Sequence, residues 1–328
     1  MSLSPLDLIV AAWVAAWVDR RWGEPPLWLH PVVAMGRYLG ALGPWLCARS
    51  PAVAGLGGAL AWCVGAAACV ALAVALSDGV AACLLWAEAQ GASTWVMGVL
   101  TALAGATLGL LLKPLMAWRM LHDEVAAVES ALTESLDAGR ARLQRLVSRD
   151  VSQLDEAQVR ESALESLAEN LNDSVVAPLF WFALGGLPGA ALYRFANTAD
   201  AMWGYRGRYE WAGKWAAHAD DLLSWLPARL TALLLCLAAR RGPGLAALRH
   251  EAAQTPSPNG GWPMGAMAHL LGVRLSKPGV YVLNAAGGTP QAAHTPRALA
   301  WCDAAVRLAL WCLTLGCLIA WAASGRAT

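Results

Sequence analysis

Long apolar runs alternate with short polar segments along the 328-residue chain. Residues 52–76 and 92–112 contain no Asp, Glu, Lys, Arg or His, and residues 298–323 end in a further apolar run. Residues 3–18 are apolar apart from Asp7 and lack the basic start and cleavage motif of a signal peptide, so we interpret them as a retained first span. A spanning helix needs about 20 predominantly apolar residues, and the pattern therefore predicts four full membrane spans.

Two further apolar segments, 174–192 and 222–239, are interrupted. The first contains Pro188 between glycines, and the second carries Pro227 and Arg229 near its middle. A central Arg costs about 2.5–3.5 kcal/mol on insertion scales. Broken helices at membrane depth are tolerated where protein or a wet cavity covers them. We therefore predict that both segments are re-entrant or half-inserted.

Lys and Arg are unevenly distributed among the polar loops. Segment 77–91 contains none, whereas 19–51 contains four and 113–173 contains seven. Cytoplasmic loops carry an excess of Lys and Arg, so 77–91 is expected outside. The polar motifs of 113–297 are then expected on the cytoplasmic face of the cell inner membrane.

Residues 115–172 differ from the rest, because charged residues alternate there with apolar positions at helical spacing. We predict a cytoplasmic helical hairpin that turns near residues 137–139. No repeat or linker indicates a second soluble domain. The expected fold is an all-α polytopic membrane protein, with residues 1–328 forming one integral membrane domain.

Composition agrees with this interpretation, since 58% of residues are hydrophobic and 14% are charged, against about 25% charged in soluble domains. The formal net charge is +1, and no basic patch is interleaved with aromatic residues, which argues against a nucleic-acid partner. The eight cysteines lie mostly in apolar runs without a C-x-x-C pair. They are therefore expected to be buried side chains rather than a metal site or disulfides.

Carboxylates recur every four residues along one predicted helix and so form a stripe on its surface. The stripe consists of Glu161, Glu165, Glu169 and Asp173, and the adjacent stripe consists of Ser162, Ser166 and Asn170. Like charges at this spacing repel by a few tenths of a kcal/mol, so a cation should offset them. One interpretation is a solvated acidic face. The other is a site for Mg²⁺, which binds one or two carboxylates together with substrate phosphates.

A second polar cluster lies between the two interrupted segments and at the start of the second. It contains Arg194, Asn197, Asp200, Tyr205, His218, Asp220, Asp221 and Arg229. The arginines could bind phosphate or carboxylate, and the aspartates could hold a metal ion. Alternatively these residues are interfacial anchors and caps, with Arg229 paired to an Asp. His218 alone is expected to be structural.

A third cluster, Ser257–Gly265, has the composition of a tight turn. Taken together, the motifs resemble the adenosylcobinamide-phosphate synthase family of cobalamin biosynthesis, the CobD/CbiB proteins. Five blocks in family order carry the resemblance across about residues 19–281: His30-Pro31-Val32, Glu165-Ser166-x-Ala168-Glu169-Asn170, Tyr193-Arg194 with Asn197-Thr198, Asp220-Asp221 with Pro227, and Ser257-Pro258-Asn259-Gly260-Gly261. Trp203 departs from the small or polar residue expected at its position.

The resemblance implies an ATP-dependent ligation of (R)-1-amino-2-propanol, or its O-phosphate, to a carboxyl of adenosylcobyric acid, with Mg²⁺ and an acyl phosphate intermediate. It implies metal ligands among Glu165, Glu169, Asp173 and Asp200. It implies catalytic roles for Glu169, Asp173, Asn170, Asp220 and Asp221, with Asp220 or Asp221 deprotonating the amine. It implies substrate binding by Arg194, Asn197, Tyr205, Arg229, Ser257, Asn259 and His30.

Two other classes of function stay open. Transporters also contain intramembrane arginines and broken helices. Arg229 and the two interrupted segments would therefore also fit a transporter of a corrinoid or another anionic substrate. A non-catalytic scaffold that recruits other cobalamin enzymes is the third possibility, and it should tolerate neutralisation of Glu169 and Asp173. The residues do not decide whether the substrate is the amine or the amine phosphate. They also do not decide whether the chain uses ATP directly or assembles into a homo-oligomer.

Overall fold

The structure is a computed structural model that describes residues 4–205 and 207–323. Within this range the chain is almost entirely helical, which confirms the predicted fold class. The helices are α1 Pro5–Trp22, α2 Pro31–Cys47, α3 Pro51–Ala89, α4 Thr94–Leu112, α5 Trp118–Glu134, α6 Leu136–Leu143, α7 Glu156–Leu171, α8 Ala177–Trp203, α9 Lys214–Leu223, α10 Trp225–Ala239, α11 Leu245–Ala252, α12 Gly261–Leu271 and α13 His294–Ala323. The short strands β1 Leu275–Lys277 and β2 Tyr281–Leu283 form an antiparallel hairpin.

The described residues divide into two compact units. The first contains the chain up to Ala117, Ala177–Leu223 and the residues from Leu310 onward. The second contains Trp118–Val176 and Ser224–Ala309. The single membrane domain expected from the sequence stays a prediction.

Four helical stretches are long and apolar enough to cross a membrane, the number predicted from the sequence. They are Pro51–Ala89, Thr94–Glu134, Glu156–Trp203 and His294–Ala323. Their identities differ from the prediction in one respect. Helix α1 is not among them, because its 18 residues include four charged ones, and Glu156–Trp203 takes its place. The chain is therefore a multi-pass membrane protein by the length and composition of its helices.

Both segments predicted to be interrupted contain a break. In α8, Gly186 adopts a non-helical conformation with φ of 60°, a value that glycine tolerates better than other residues. The second segment is divided at Ser224, between the end of α9 and the start of α10. Pro227 lies in the first turn of α10, where its missing N–H costs no helical hydrogen bond. These breaks fit either a broken span or a re-entrant path.

Within the first unit, close helix packing depends on small residues. Gly105 and Gly109 on α4 face α1, and a Cβ placed on Gly109 would lie 2.7 Å from the carbonyl oxygen of Ala11. A Cβ on Gly105 would lie 2.8 Å from Val10. This G-x-x-x-G spacing lets two helix backbones approach closely.

Within the second unit, the hairpin predicted over 115–172 is subdivided differently. Residues 137–139, the predicted turn, lie inside α6, so that prediction is wrong. The break falls at Ser135, whose hydroxyl accepts from the Ala138 amide and caps α6. A loop then leads to Asp155, whose capping box with Gln158 starts α7. The cytoplasmic position of this segment stays a prediction.

Candidate active site

Helix α7 presents three of the predicted carboxylates, Glu161, Glu165 and Glu169, at four-residue spacing. The regular α-helix ends at Leu171, and Asp173 lies in the following π-helical turn, Asn172–Val176. A π-helical turn changes the angular spacing of side chains. The predicted stripe of four carboxylates on one regular helix is therefore limited to three.

Glu161 belongs to the protein interior rather than to a solvated face. Its side chain is fully buried and accepts hydrogen bonds from Arg274 at 3.3 Å and from the Ser276 hydroxyl. These partners engage both carboxylate oxygens. We therefore assign Glu161 a structural role, since it ties α7 to the β-hairpin.

Glu165 is also buried, with 5% of its surface exposed, which excludes the solvated-face interpretation for this residue too. Arg149 Nη2 lies 3.2 Å from Glu165 Oε2 and donates to the Ser162 hydroxyl at 2.5 Å. The offsetting cation expected from the sequence is therefore present. Two buried atoms of this pair, Arg149 Nε and Glu165 Oε1, lack a protein hydrogen bond of good geometry among the described residues, although the Tyr281 hydroxyl lies close to the Glu165 carboxylate. Leaving a buried polar atom unpaired costs about 1–3 kcal/mol, so the pair is suited to a bound ligand.

The Arg149–Glu165 pair borders a cavity of about 170 Å³. Its polar lining residues are Ser148, Arg149, Ser162, Glu165, Ser166, Glu169, Asn170, Lys277 and Tyr281. Burial and the charges of Glu165 and Glu169 raise the pKa of the Tyr281 phenol, so the phenol stays protonated and can donate. We call this space the polar cavity.

The structure brings three predicted site residues, Glu165, Glu169 and Asn170, to the polar cavity. Asn170 donates to the backbone carbonyl of Ser166 at 2.9 Å. Three further residues, Arg149, Lys277 and Tyr281, were not predicted. The unbalanced charge of the stripe indicated that a cation was required, but no local spacing could identify Arg149, which precedes Glu165 by 16 residues.

The Ser257–Gly261 loop reaches the edge of this site. Glu169 is exposed, and a Cβ placed on Gly260 would lie 3.1 Å from its Oε1 atom. Asn259 is buried, and its amide donates to the Ser257 hydroxyl at 3.2 Å. A side chain at position 260 would therefore require the Glu169 carboxylate to shift by a few tenths of an ångström.

Asp173 accepts from the Asn172 amide at 2.8 Å. Asn172 in turn accepts from the Thr231 hydroxyl on α10 at 3.1 Å. These two hydrogen bonds connect Asp173, through Asn172, to α10 within the second unit.

Arg229 lies between two indole rings, with its guanidinium carbon 4.3 Å from the centre of Trp225 and 4.7 Å from that of Trp262. It donates to the carbonyl of Trp225 at 2.6 Å, to the Asn259 side chain at 3.0 Å and to the carbonyl of Pro258 at 3.4 Å. All of its partners among the described residues are neutral. The predicted alternative of an Arg229–Asp pair is therefore wrong.

In the first unit, Arg194, Asn197 and Asp220 form a chain of hydrogen bonds. Arg194 is buried and donates to the carbonyl of Leu115 at 3.0 Å and to Asn197 at 3.3 Å. Asn197 donates to Asp220 at 3.4 Å. These contacts connect three members of the cluster, whereas the roles of these residues stay predictions.

The remaining predicted residues of this cluster lie nearby in the fold. Asp200 is half-buried on α8, and a Cβ placed on Gly204 would lie 2.1 Å from its Oδ1 atom. Tyr205 is exposed, and Asp221 is half-buried on α9. Nothing in their placement distinguishes a metal ligand from an interfacial residue.

His30 has two protein partners. Its Nε2 atom lies 3.0 Å from Glu24, and its Nδ1 atom accepts from the Val32 amide at 3.3 Å and caps α2. Glu24 also pairs with Lys113 at 2.9 Å, and Lys113 pairs with Asp19 at 3.0 Å. Both ring nitrogens of His30 are thus engaged within the protein, which favours a structural role over the predicted substrate contact.

Among the described residues, no group of three or more His, Cys, Asp or Glu side chains is arranged to hold a metal ion. A closed protein site of the structural type is therefore not formed by this part of the chain. Mg²⁺ commonly binds through one or two carboxylates and substrate phosphates, so this finding leaves the predicted ligands as a proposal.

Comparison with known proteins identifies the family. A profile described as CobD/Cbib protein matches residues 12–309. The chain is 41% identical over 281 residues to a probable cobalamin biosynthesis protein CobD of Pyrococcus abyssi, covering 85% of this chain and 86% of that one. It is 39% identical over 264 residues to the cobalamin biosynthesis protein CobD of Chromobacterium violaceum, covering 80% and 79%.

The cobalamin biosynthesis protein CobD of Rhodobacter capsulatus is 45% identical over 203 residues, which cover 58% of this chain and 65% of that relative. The match thus spans less than two thirds of the Rhodobacter protein. No solved structure matches the chain. Because the family profile covers most of the sequence, the chain belongs to the CobD/CbiB family.

Proposed function

We propose that this chain is a membrane-bound acid–amine ligase of cobalamin biosynthesis. Its reaction would join (R)-1-amino-2-propanol, or the O-phosphate of that amine, to a carboxyl group of adenosylcobyric acid. The products would be adenosylcobinamide or its phosphate, together with ADP and inorganic phosphate. The observation that carries the proposal is the polar cavity, where a buried carboxylate oxygen and a buried guanidinium nitrogen lack a protein hydrogen bond of good geometry.

An amide-forming site must bind groups of opposite charge next to each other. Glu165 Oε1 is placed to accept a proton or a hydrogen bond from the amine, and the attacking nitrogen would lose its proton to this carboxylate or to Glu169. Arg149 Nε and the Lys277 ammonium group are suited to anionic oxygens of the carboxyl or phosphate. The Tyr281 hydroxyl is a further donor.

The family resemblance adds ATP and Mg²⁺ to this proposal. Two carboxylates, Glu165 and Glu169, line the polar cavity, which fits the ligand number that Mg²⁺ uses when substrate phosphates complete its shell. Glu169, the exposed member, is the better candidate because Arg149 already pairs with Glu165. ATP would supply the phosphoryl group that turns the carboxyl oxygen into a leaving group.

We also propose that the site faces the cytoplasm from the inner membrane. The support is the Lys and Arg distribution, in which segment 77–91 carries none and the polar motifs lie in basic segments. This orientation would give the site access to cytoplasmic ATP and to a soluble corrinoid.

The proposal is tested by incubating purified protein with adenosylcobyric acid, ATP, Mg²⁺ and each amine, followed by mass spectrometry. We expect a new amide whose mass equals that of both substrates minus one water, with one ADP formed per amide. Arg149→Met should reduce product formation, while Arg145→Met, at an exposed position, serves as the matched control. No amide from the wild-type protein with either amine would contradict the proposal and favour the transporter or scaffold.

A further inference from the structure

A second cavity lies beside α10 in the second unit and differs in chemistry from the polar cavity. Its volume is about 680 Å³. Leu233 and Cys236 of α10, together with Leu245 and Leu248 of the α11 region, form apolar walls. Two arginines, Arg229 and Arg249, also line it. We call this space the α10 cavity. It joins a large apolar volume to a pair of cationic groups.

Both cations of the α10 cavity are available to an anion. The hydrogen-bond and ring partners of Arg229 among the described residues are all neutral. Arg249 is exposed, in the last turn of α11, and the described part of the chain provides no salt bridge for it. Two guanidinium groups without carboxylates attract a phosphate, which they can bind through charge-assisted hydrogen bonds.

The apolar walls of the α10 cavity indicate which kind of phosphate-containing molecule would bind there. Helix α10 belongs to the bent helix pair that is apolar enough for a membrane segment, and Leu233 and Leu245 expose more than half of their surface. Trp225 and Trp262, which flank Arg229, are of the residue type enriched at membrane–water interfaces. A soluble phosphate would gain nothing from the leucines, whereas an acyl chain would.

We propose that the α10 cavity binds one anionic phospholipid of the surrounding membrane. Its phosphodiester would contact Arg229 and Arg249, and one acyl chain would lie against Leu233, Leu245 and Leu248. Basic pockets beside membrane helices bind anionic headgroups in this way. The lipid would hold α10 and the Asn259 loop in place, because Arg229 also donates to Asn259.

The test is native mass spectrometry of the delipidated full-length protein, titrated with phosphatidylglycerol or phosphatidylcholine in neutral detergent. We expect one tightly bound phosphatidylglycerol and no comparable phosphatidylcholine. Arg249→Gln should weaken phosphatidylglycerol binding by about fivefold, since one surface arginine contributes about 1 kcal/mol of attraction to anionic lipid. Arg297→Gln removes the same charge at an exposed position outside the cavity and should leave binding unchanged.

Competition experiments distinguish binding of a lipid from binding of a soluble phosphate. Glycerophosphoglycerol, which has the headgroup but no acyl chains, should compete poorly, and inorganic phosphate should compete poorly as well. Efficient competition by either compound, or by a phosphorylated corrinoid, would overturn the lipid assignment. Equal binding of both lipids, or unchanged binding to Arg249→Gln, would also overturn it. The measurement needs no substrate, so failure of the proposed ligase reaction would leave its result intact.

Discussion

Each unit contains a buried charge network, and the two networks differ in their surroundings. In the first unit, Lys113 is 3% exposed, and its ammonium contacts Asp19, Glu24 and the carbonyl of Met116. In the second unit, Arg149 and Glu165 contact each other but retain unpaired atoms beside a cavity. Burial and charge are similar in the two networks. The position of Arg149 and Glu165 beside the polar cavity therefore distinguishes the site suited to a ligand from the network that holds the fold together.

The largest expected effect follows from removing the cation of the first network. Lys113→Met removes the cation beside the buried Asp19 and the half-buried Glu24, which should destabilise the protein by about 3–5 kcal/mol. Unfolding in a denaturing detergent, followed by circular dichroism, measures this loss. Lys277→Met is the control, since Lys277 is exposed. Equal stability of the two variants would show that the first network is not structural.

The next effect concerns catalysis. Glu169→Gln and Asp173→Asn preserve side-chain size but remove charge, so each should lower the rate of amide formation by about 100-fold or more if it acts in acid–base or metal chemistry. Membrane insertion and thermal stability should change little. Glu134→Gln, at an exposed position on α5, provides the matched control. Turnover at the wild-type rate in Glu169→Gln and Asp173→Asn would show that Glu169 and Asp173 are not catalytic.

A smaller effect is expected at the Ser257–Gly261 loop. Gly260→Ala places a methyl group 3.1 Å from Glu169 Oε1 and 3.2 Å from Met264, so the carboxylate must shift. We expect a loss of about tenfold in turnover, since misplacement of a reacting group by 1 Å can cost up to 100-fold. Gly244→Ala has no atom within 4 Å of the added carbon and should retain activity. Equal turnover in Gly260→Ala and Gly244→Ala would show that the Ser257–Gly261 loop does not contribute to the site.

The smallest effect is a change in pH dependence. Burial acts to raise the pKa of Glu24, but hydrogen bonds from His30 and Lys113 and the Lys113 charge lower it below its ordinary value of 4.5. The stabilisation from this group is therefore complete above that ordinary value and is lost as pH falls below it. Glu24→Gln should flatten the loss of thermal stability on acidification below about pH 4.5. An unchanged slope would contradict the role of Glu24 in the first network.

The sequence predicted the all-α membrane fold well because hydrophobic length alone determines where helices such as α3 and α4 can lie. It also predicted that the carboxylate stripe needs a cation. The prediction failed for α1, whose hydrophobic run is followed by Asp19 and two arginines within the same helix. Charges of this kind can be buried by packing against other helices, as Asp19 is, and a local pattern does not reveal such contacts.

The candidate site was predicted only in part because its members are distant in sequence. Tyr281 and Glu165 both line the polar cavity although they are far apart in the chain, and helical spacing does not indicate that they lie close together. The π-helical turn after Leu171 also has no clear signal in the residues. As a result, helical spacing predicts equivalent roles for Glu161 and Glu165. In the structure, both carboxylate oxygens of Glu161 accept hydrogen bonds, whereas Oε1 of Glu165 lacks one of good geometry.

The contrast between these two neighbours gives the most direct test of the central claim. Amide formation from adenosylcobyric acid, ATP, Mg²⁺ and the amine is measured by mass spectrometry for the wild type, Glu165→Gln and Glu161→Gln. We expect a loss of about 100-fold or more in Glu165→Gln, with the protein still folded, and activity close to wild type in folded Glu161→Gln. Full activity in Glu165→Gln, or an equal loss in both variants, would contradict the assignment of the polar cavity as the active site.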